Sequence, residues 1–157
     1  MEELKTRTTD YLSSVGIEVP SHLPTIEEMD EVTPRSAQDV AGRLSALAYV
    51  IGLGFGAKGS DLSEQLQKYD LLPFVSEREK ALLSEEVIDD QDKVDMSWQT
   101  ECAQSLAWCI GLVELDHFQH CDDDLAQKIP FKTDPSDFIR SAKLRPIAEI
   151  QEQADLL

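Results

Sequence analysis

Two stretches of this sequence hold residue types whose spacing could do chemistry. The first is His117-Phe118-Gln119-His120-Cys121-Asp122-Asp123-Asp124, with two imidazoles, a thiol and three carboxylates inside eight residues. His117, His120 and Cys121 are the candidate metal ligands, because histidines three apart on one helical turn can both reach one transition-metal ion. No second ligand pair stands elsewhere, and His22 is the only other histidine. A solvated helix end running into an acidic turn explains the same residues, and no cofactor is expected. The second stretch is Gly54-Phe55-Gly56-Ala57-Lys58-Gly59, formally GxGxxG. Such glycines let a backbone approach a pyrophosphate at a helix N-terminus. Here the preceding residues continue a long helical pattern instead of a short strand, and no acidic residue closes a second strand about 20 positions on. A helix stop followed by a tight turn is the expectation.

Other signatures are weaker. Asp90, Asp92 and Glu101 fall at positions 1, 3 and 12 of a calcium loop, but Val94 stands at position 5 and Asp95 replaces the required glycine. The nucleophile-elbow GxSxG, the zinc-binding HExxH and the phosphate-loop lysine motif are absent. Glu101 differs from the other acids: it lies one turn after Trp98 in a stretch that soon becomes apolar, on the side of Gln104 and Trp108. A buried carboxylate needs a partner or a raised pKa. Arg43 is the expected partner, with Arg35 second, which makes Arg43, Trp98, Glu101 and Trp108 the candidate binding constellation. Such a pair between two helices is more often structural than catalytic.

The elements that must position these residues are helical. Leu4, Thr8, Tyr11, Leu12 and Val15 recur at helical spacing up to Gly16. Residues 17–33, with Pro20 and Pro24, read as an extended connection, and only Val15 to Val19 hints at a strand. Thr33-Pro34 is expected to open a helix to about Leu53. A short amphipathic helix spans Asp61 to Tyr69. Ser76-Glu77-Arg78-Glu79 is a capping box that opens a helix through Ser84. Residues 85–97 read as a polar, acidic bridge, and Ser97 or Trp98 starts a second apolar helix to about Leu115. Asp134-Pro135 starts a short helix to Ala142, and Pro146 opens a last one to Leu157. The fold class expected is all-α: one helical domain over residues 1–157, a single compact multi-helix unit with two buried central helices at about 34–53 and 97–115. Those two helices share a pattern. Leu47-Ala48-Tyr49-Val50-Ile51-Gly52-Leu53 matches Leu106-Ala107-Trp108-Cys109-Ile110-Gly111-Leu112 at five of seven positions. A common packing demand accounts for this better than a duplication, which seven residues are too few to establish.

Composition bounds the rest. The 157 residues are 41% hydrophobic and 29% charged, with 31 acids against 14 bases and a net charge of −17. Such a surface repels phosphate backbones and anionic lipid, so neither nucleic acid nor membrane is an expected partner. The N-terminus is charged, and the longest apolar run, Leu44 to Phe55, falls short of the roughly 20 residues a bilayer crossing needs. Cys102, Cys109 and Cys121 form no CxxC pair. Cys102 and Cys109 share a helical face and read as small buried apolar residues, which places the chain in a reducing, cytoplasmic setting. The acids are unevenly distributed: residues 85–124 hold 12 acids and one base.

One stretch resembles a known family. Trp98-x-x-Glu101 followed by Gln104, Leu106-Ala107-Trp108 and Ile110-Gly111-Leu112 resembles the signature of the domain-of-unknown-function family numbered 4272. The Arg35-to-Arg43 segment leading into Leu44-Ser45-Ala46-Leu47, Leu82-Leu83 after Ser76-x-x-Glu79, and Leu144-Arg145-Pro146 with Glu149-Ile150 stand in the same order. The resemblance spans roughly residues 5–157 and implies a soluble α-helical domain with no assigned activity. It also implies a further helical segment, containing a tryptophan, beyond the equivalent of Asp155, which this chain lacks.

Together these readings predict a non-catalytic acidic interaction or accessory domain whose partner is a basic protein, as for accessory or toxin-neutralising proteins. The alternative is a small-molecule- or metal-dependent enzyme with its site between the two central helices. A homodimer burying leftover apolar surface is the third expectation.

Overall fold

Helices end where side chains satisfy the backbone groups that a helix leaves open, and the caps of this chain set its element boundaries. The computed structural model describes residues 2–27, 31–116 and 118–156. Among them are eight α-helices and one 3₁₀ turn, with no strand. The helices are α1 (Glu2–Ser14), α2 (Ala37–Gly54), α3 (Gly59–Lys68), α4 (Glu77–Ser84), α5 (Asp90–Cys109), α6 (Leu125–Lys128), α7 (Ser136–Ser141) and α8 (Ile147–Leu156). The all-α expectation holds, and the two apolar helices α2 and α5 make the most extensive helix–helix contact.

Their boundaries differ from the sequence reading. Helix α2 starts at Ser36 instead of Thr33-Pro34. The Ser36 hydroxyl accepts from the Asp39 N–H at 3.0 Å and the Asp39 carboxylate accepts from the Ser36 N–H at 3.3 Å. A reciprocal box satisfies two open donors where Thr33 could satisfy one. Helix α5 starts well inside the stretch read as a bridge. Asp89 caps it by accepting from the Asp92 N–H at 2.8 Å, Asp90 and Asp92 favour the positive end of the helix dipole, and Lys93 pairs with Asp90 at 2.9 Å. Arg78 of α4 bridges Asp92 and Asp95 at 3.1 and 2.8 Å. The acids that hid the helical period are therefore the ones that start the helix. The hint of a strand at Val15 to Val19 gives a turn and irregular chain.

The chain divides into two compact units, residues up to Arg35 together with those from Arg145, and residues 36–144. In the first, α1 packs with α8, and Arg7 meets Glu152 at 2.7 Å on the surface. In the second, Leu44, Leu47, Tyr49, Val50, Leu66 and Leu71 are essentially inaccessible to solvent. Glycines let backbones approach here: a Cβ on Gly54 would lie 2.6 Å from the Ser97 nitrogen of α5, and one on Gly59 would lie 2.4 Å from the Leu83 oxygen at the end of α4. Gly54 and Gly59 of the GxGxxG stretch are thus explained by close packing, and the stretch as a whole is the expected stop and turn. It closes at Gly56, whose φ is +86°.

Candidate functional site

The predicted constellation does not assemble. Arg43, on α2, is fully engaged elsewhere: its guanidinium donates to both Glu79 carboxylate oxygens at 2.7 and 2.8 Å and to the Phe74 carbonyl at 2.8 Å. Glu79 is almost completely buried and also accepts from the Ser76 N–H at 2.8 Å, so one carboxylate caps α4 and clamps it to α2. Burial alone would push the Glu79 carboxyl up, but the Arg43 and Ser76 hydrogen bonds and the Arg43 charge together hold it below its ordinary value. The partner of Arg43 is therefore Glu79 and not Glu101. The capping box fixes the Glu79 carboxylate at the start of α4, but only the packing of α4 against α2 brings Arg43 to it.

Glu101 is exposed, because α5 turns that face outward. On the same face lie Val94 and Trp98, spaced i and i+4, with Trp98 66% exposed. Trp108 faces inward and is 7% exposed. Trp98 and Trp108 thus occupy different sides of one helix. Cys102 is exposed and Cys109 half-buried, which corrects the reading of both as buried apolar residues. Along α5 and the segment before it the acids are only partly neutralised: Arg78 and Lys93 engage Asp92, Asp95 and Asp90, while Glu85, Glu86 and Glu101 stand on the surface.

The second candidate fares differently. His117 lies outside the described residues. His120 is exposed in non-helical chain, two residues after the Phe118 N–H that donates to the Asp116 carboxylate at 2.9 Å, so it does not sit on a helical turn. Cys121 is half-buried, and burial followed by the nearby carboxylates Glu101, Asp123 and Asp122 pushes its thiol up, away from the thiolate a metal would need. Among the described residues no three His, Cys, Asp or Glu side chains are grouped to hold a metal ion.

A cleft of about 450 Å³ lies between α2 and α5, the two helices between which the alternative reading expects a site, but none of Arg43, Trp98, Glu101 and Trp108 lines it. It is lined by the small residues Ala48, Gly52 and Ala103, by Ile51, Leu125 and Ile129, and by the rings of Phe55 and Phe131. Phe131 packs on Tyr49 with ring centroids 4.9 Å apart. The buried Tyr49 hydroxyl accepts from the Lys132 N–H at 2.9 Å, and the Tyr69 hydroxyl donates to the Lys132 carbonyl at 3.1 Å. Two tyrosines thereby fix the turn that carries Phe131. Nothing in the local sequence of 121–131 announces a cleft, because its walls come from three separated segments.

A family model described as Domain of unknown function (DUF4272) matches residues 4–157, and the chain belongs to that family. No curated protein and no solved structure matches. Among the described residues no helix is long and apolar enough to cross a membrane.

Proposed function

We propose that this chain is a non-catalytic, acidic interaction domain that binds a basic protein partner along the outer face of α5. The carrying observation is Trp98, 66% exposed within a segment of 12 acids and one base. An exposed indole is costly to leave in water and is the side chain most often found at the energetic centre of an interface. Surrounding carboxylates favour a partner that brings Lys or Arg, which pair with Glu101 at the rim and stack on the indole face. Val94, one turn earlier, extends the apolar strip. The long-range field of the acids steers such a partner and makes its association rate sensitive to salt. The three cysteines at uneven spacing fit a reducing, cytoplasmic setting.

The test is a comparative capture from lysate of the source cell with wild type, Trp98→Ala and Glu101→Lys as baits, at low and moderate salt. The expected outcome is a basic protein retained by wild type, weakened by salt and by Glu101→Lys. Trp98→Ala should weaken it by about 2 kcal/mol, or roughly thirtyfold, as for a central interface tryptophan. Capture indifferent to Trp98→Ala and Glu101→Lys, or an acidic partner, overturns the reading. So does a homodimer in sedimentation equilibrium that dissociates on Trp98→Ala, since α5 would then be occupied by a second copy.

A further inference from the structure

The cleft between α2 and α5 is lined by none of Val94, Trp98 and Glu101, and its chemistry is specific enough to name a ligand class. Its volume of about 450 Å³ falls in the range of small-molecule sites, ~300–1,000 Å³. Its lining is mostly apolar and includes two aromatic rings, Phe55 and Phe131. Phe55 is 75% exposed, so its ring is accessible from solvent at the border of the cleft. The Phe131 wall is held in advance by Tyr49 and Tyr69 through Lys132, so the site needs little reorganisation to accept an occupant.

The rim selects charge. Asp122 and Asp123 both border the cleft. Asp122 is already neutralised by the Lys128 ammonium and accepts from the Asp124 N–H at 2.8 Å. Asp123 is exposed and has no hydrogen-bond or ion-pair partner among the described residues. The rim therefore carries one uncompensated carboxylate above an apolar interior, within a protein of net charge −17. An anionic amphiphile is repelled, and a neutral one leaves the carboxylate unused. A protonated amine on an aromatic or aliphatic body uses both features.

We propose that this cleft is a binding site for a small amphiphilic amine, its apolar body between Phe55 and Phe131 and its ammonium at Asp123. Titration calorimetry with 4-phenylbutylamine, 4-phenylbutanol and 4-phenylbutyrate separates the contributions of body and charge. The amine binds, the alcohol binds about three- to fivefold more weakly, as for a solvent-exposed ion pair, and the carboxylate binds more weakly still. Asp123→Asn makes amine and alcohol equal. Ala126→Trp, at an exposed position lining the cleft, abolishes binding of both while leaving the melting temperature within a few degrees of wild type. The proposal is overturned by the absence of heat for all three probes, by a carboxylate that binds as well as the amine, or by an Ala126→Trp variant that folds and binds undiminished. None of these outcomes bears on capture through Trp98, so the two readings stand or fall separately.

Discussion

The heptapeptides at the ends of α2 and α5 match at five of seven positions 59 residues apart, yet the chain treats their shared glycine in opposite ways. Gly52 is helical and α2 runs on to Gly54, whereas Gly111 adopts φ +73° and ends α5. The difference lies in the anchors. At the position of Ser45 in α2, α5 has Gln104. The Ser45 hydroxyl turns back to the Ala41 carbonyl of its own helix at 2.9 Å. The Gln104 amide instead donates to the Glu114 carbonyl at 3.1 Å and accepts from the Asp122 N–H at 3.2 Å, pulling the following chain across the helix end. At the position of Arg43, with its clamp to Glu79, α5 has the exposed Cys102. So α2 is fastened near its start by an ion pair and α5 at its end by an amide. The shared residues provide packing, and the unshared polar ones decide where each helix stops.

Removing the α2 anchor should have the largest effect. Glu79→Ala breaks the bidentate pair, strands the Arg43 guanidinium and removes one half of a capping box, for an expected loss of about 3 kcal/mol. Because the Glu79 carboxyl is held below its ordinary value of 4.5, its contribution is fully present above that value and is lost as pH falls through the lower, folded one. Chemical denaturation across that acidic window should show a steeper stability loss for wild type than for Glu79→Gln. Equal slopes would remove the carboxylate from the clamp.

Next comes the α2–α5 crossing. Gly54→Ala drives a Cβ to 2.6 Å from the Ser97 nitrogen and 2.9 Å from the Lys93 oxygen, both backbone atoms that cannot rotate away. About 2–3 kcal/mol of destabilisation is expected. Two residues earlier the sign reverses. A Cβ on Gly52 meets only Leu62 and Ala57 side chains at 3.7 Å or more, so Gly52→Ala should stabilise the helix by about 0.5–1 kcal/mol. Thermal melts of the pair check both, and a destabilising Gly52→Ala would mean that the Leu62 and Ala57 side chains leave less room than these distances indicate.

The anchors themselves separate by a smaller margin. Gln104→Ala removes the hydrogen bonds to the Glu114 carbonyl and from the Asp122 N–H, at a cost of about 1–2 kcal/mol. Ser45→Ala removes only a bond back into the same helix and should stay within about 0.5 kcal/mol. Hydrogen exchange at the Asp122 amide is the sharper measurement: it should quicken in Gln104→Ala and stay unchanged in Ser45→Ala.

Much of this frame was legible in the residues. The capping box at Ser76 and Glu79, the glycine stop after α2 and the apolar character of both central helices follow from local rules that need no tertiary information. What failed did so for a common reason. The start of α5 was hidden because Asp89, Asp90 and Asp92 suit a helix start as well as they suit a bridge, and only the buried Met96 and the Arg78 bridge decide between them. An inward Glu101 requires Trp98 and Trp108 to share one face, and ten residues along a helix of 3.6 per turn is not a whole number of turns. The cleft and the Arg43–Glu79 pair both join segments distant in sequence, and no pattern within either segment encodes the meeting.

The smallest effect isolates the backbone. Helix α3 ends as α2 and α5 do: the Leu71 N–H reaches the Leu66 carbonyl at 2.8 Å and the Asp70 N–H reaches the Gln67 carbonyl at 3.2 Å. The residue at the left-handed position is Asp70, with φ +55°, where the other two helices have glycine. Aspartate tolerates that conformation better than most residues but still pays a steric cost that glycine avoids. Asp70→Gly should therefore stabilise the fold by about 0.5 kcal/mol, net of the entropy glycine adds to the unfolded chain. Gly111→Ala imposes the reverse change where a Cβ would meet nothing within 4 Å, so its expected loss of about 1 kcal/mol is backbone strain alone. Opposite signs in paired melts would show that one cap geometry closes all three helices. A stabilising Gly111→Ala would mean that α5 continues past Cys109 once its stop is weakened, and that Gln104 alone does not end it.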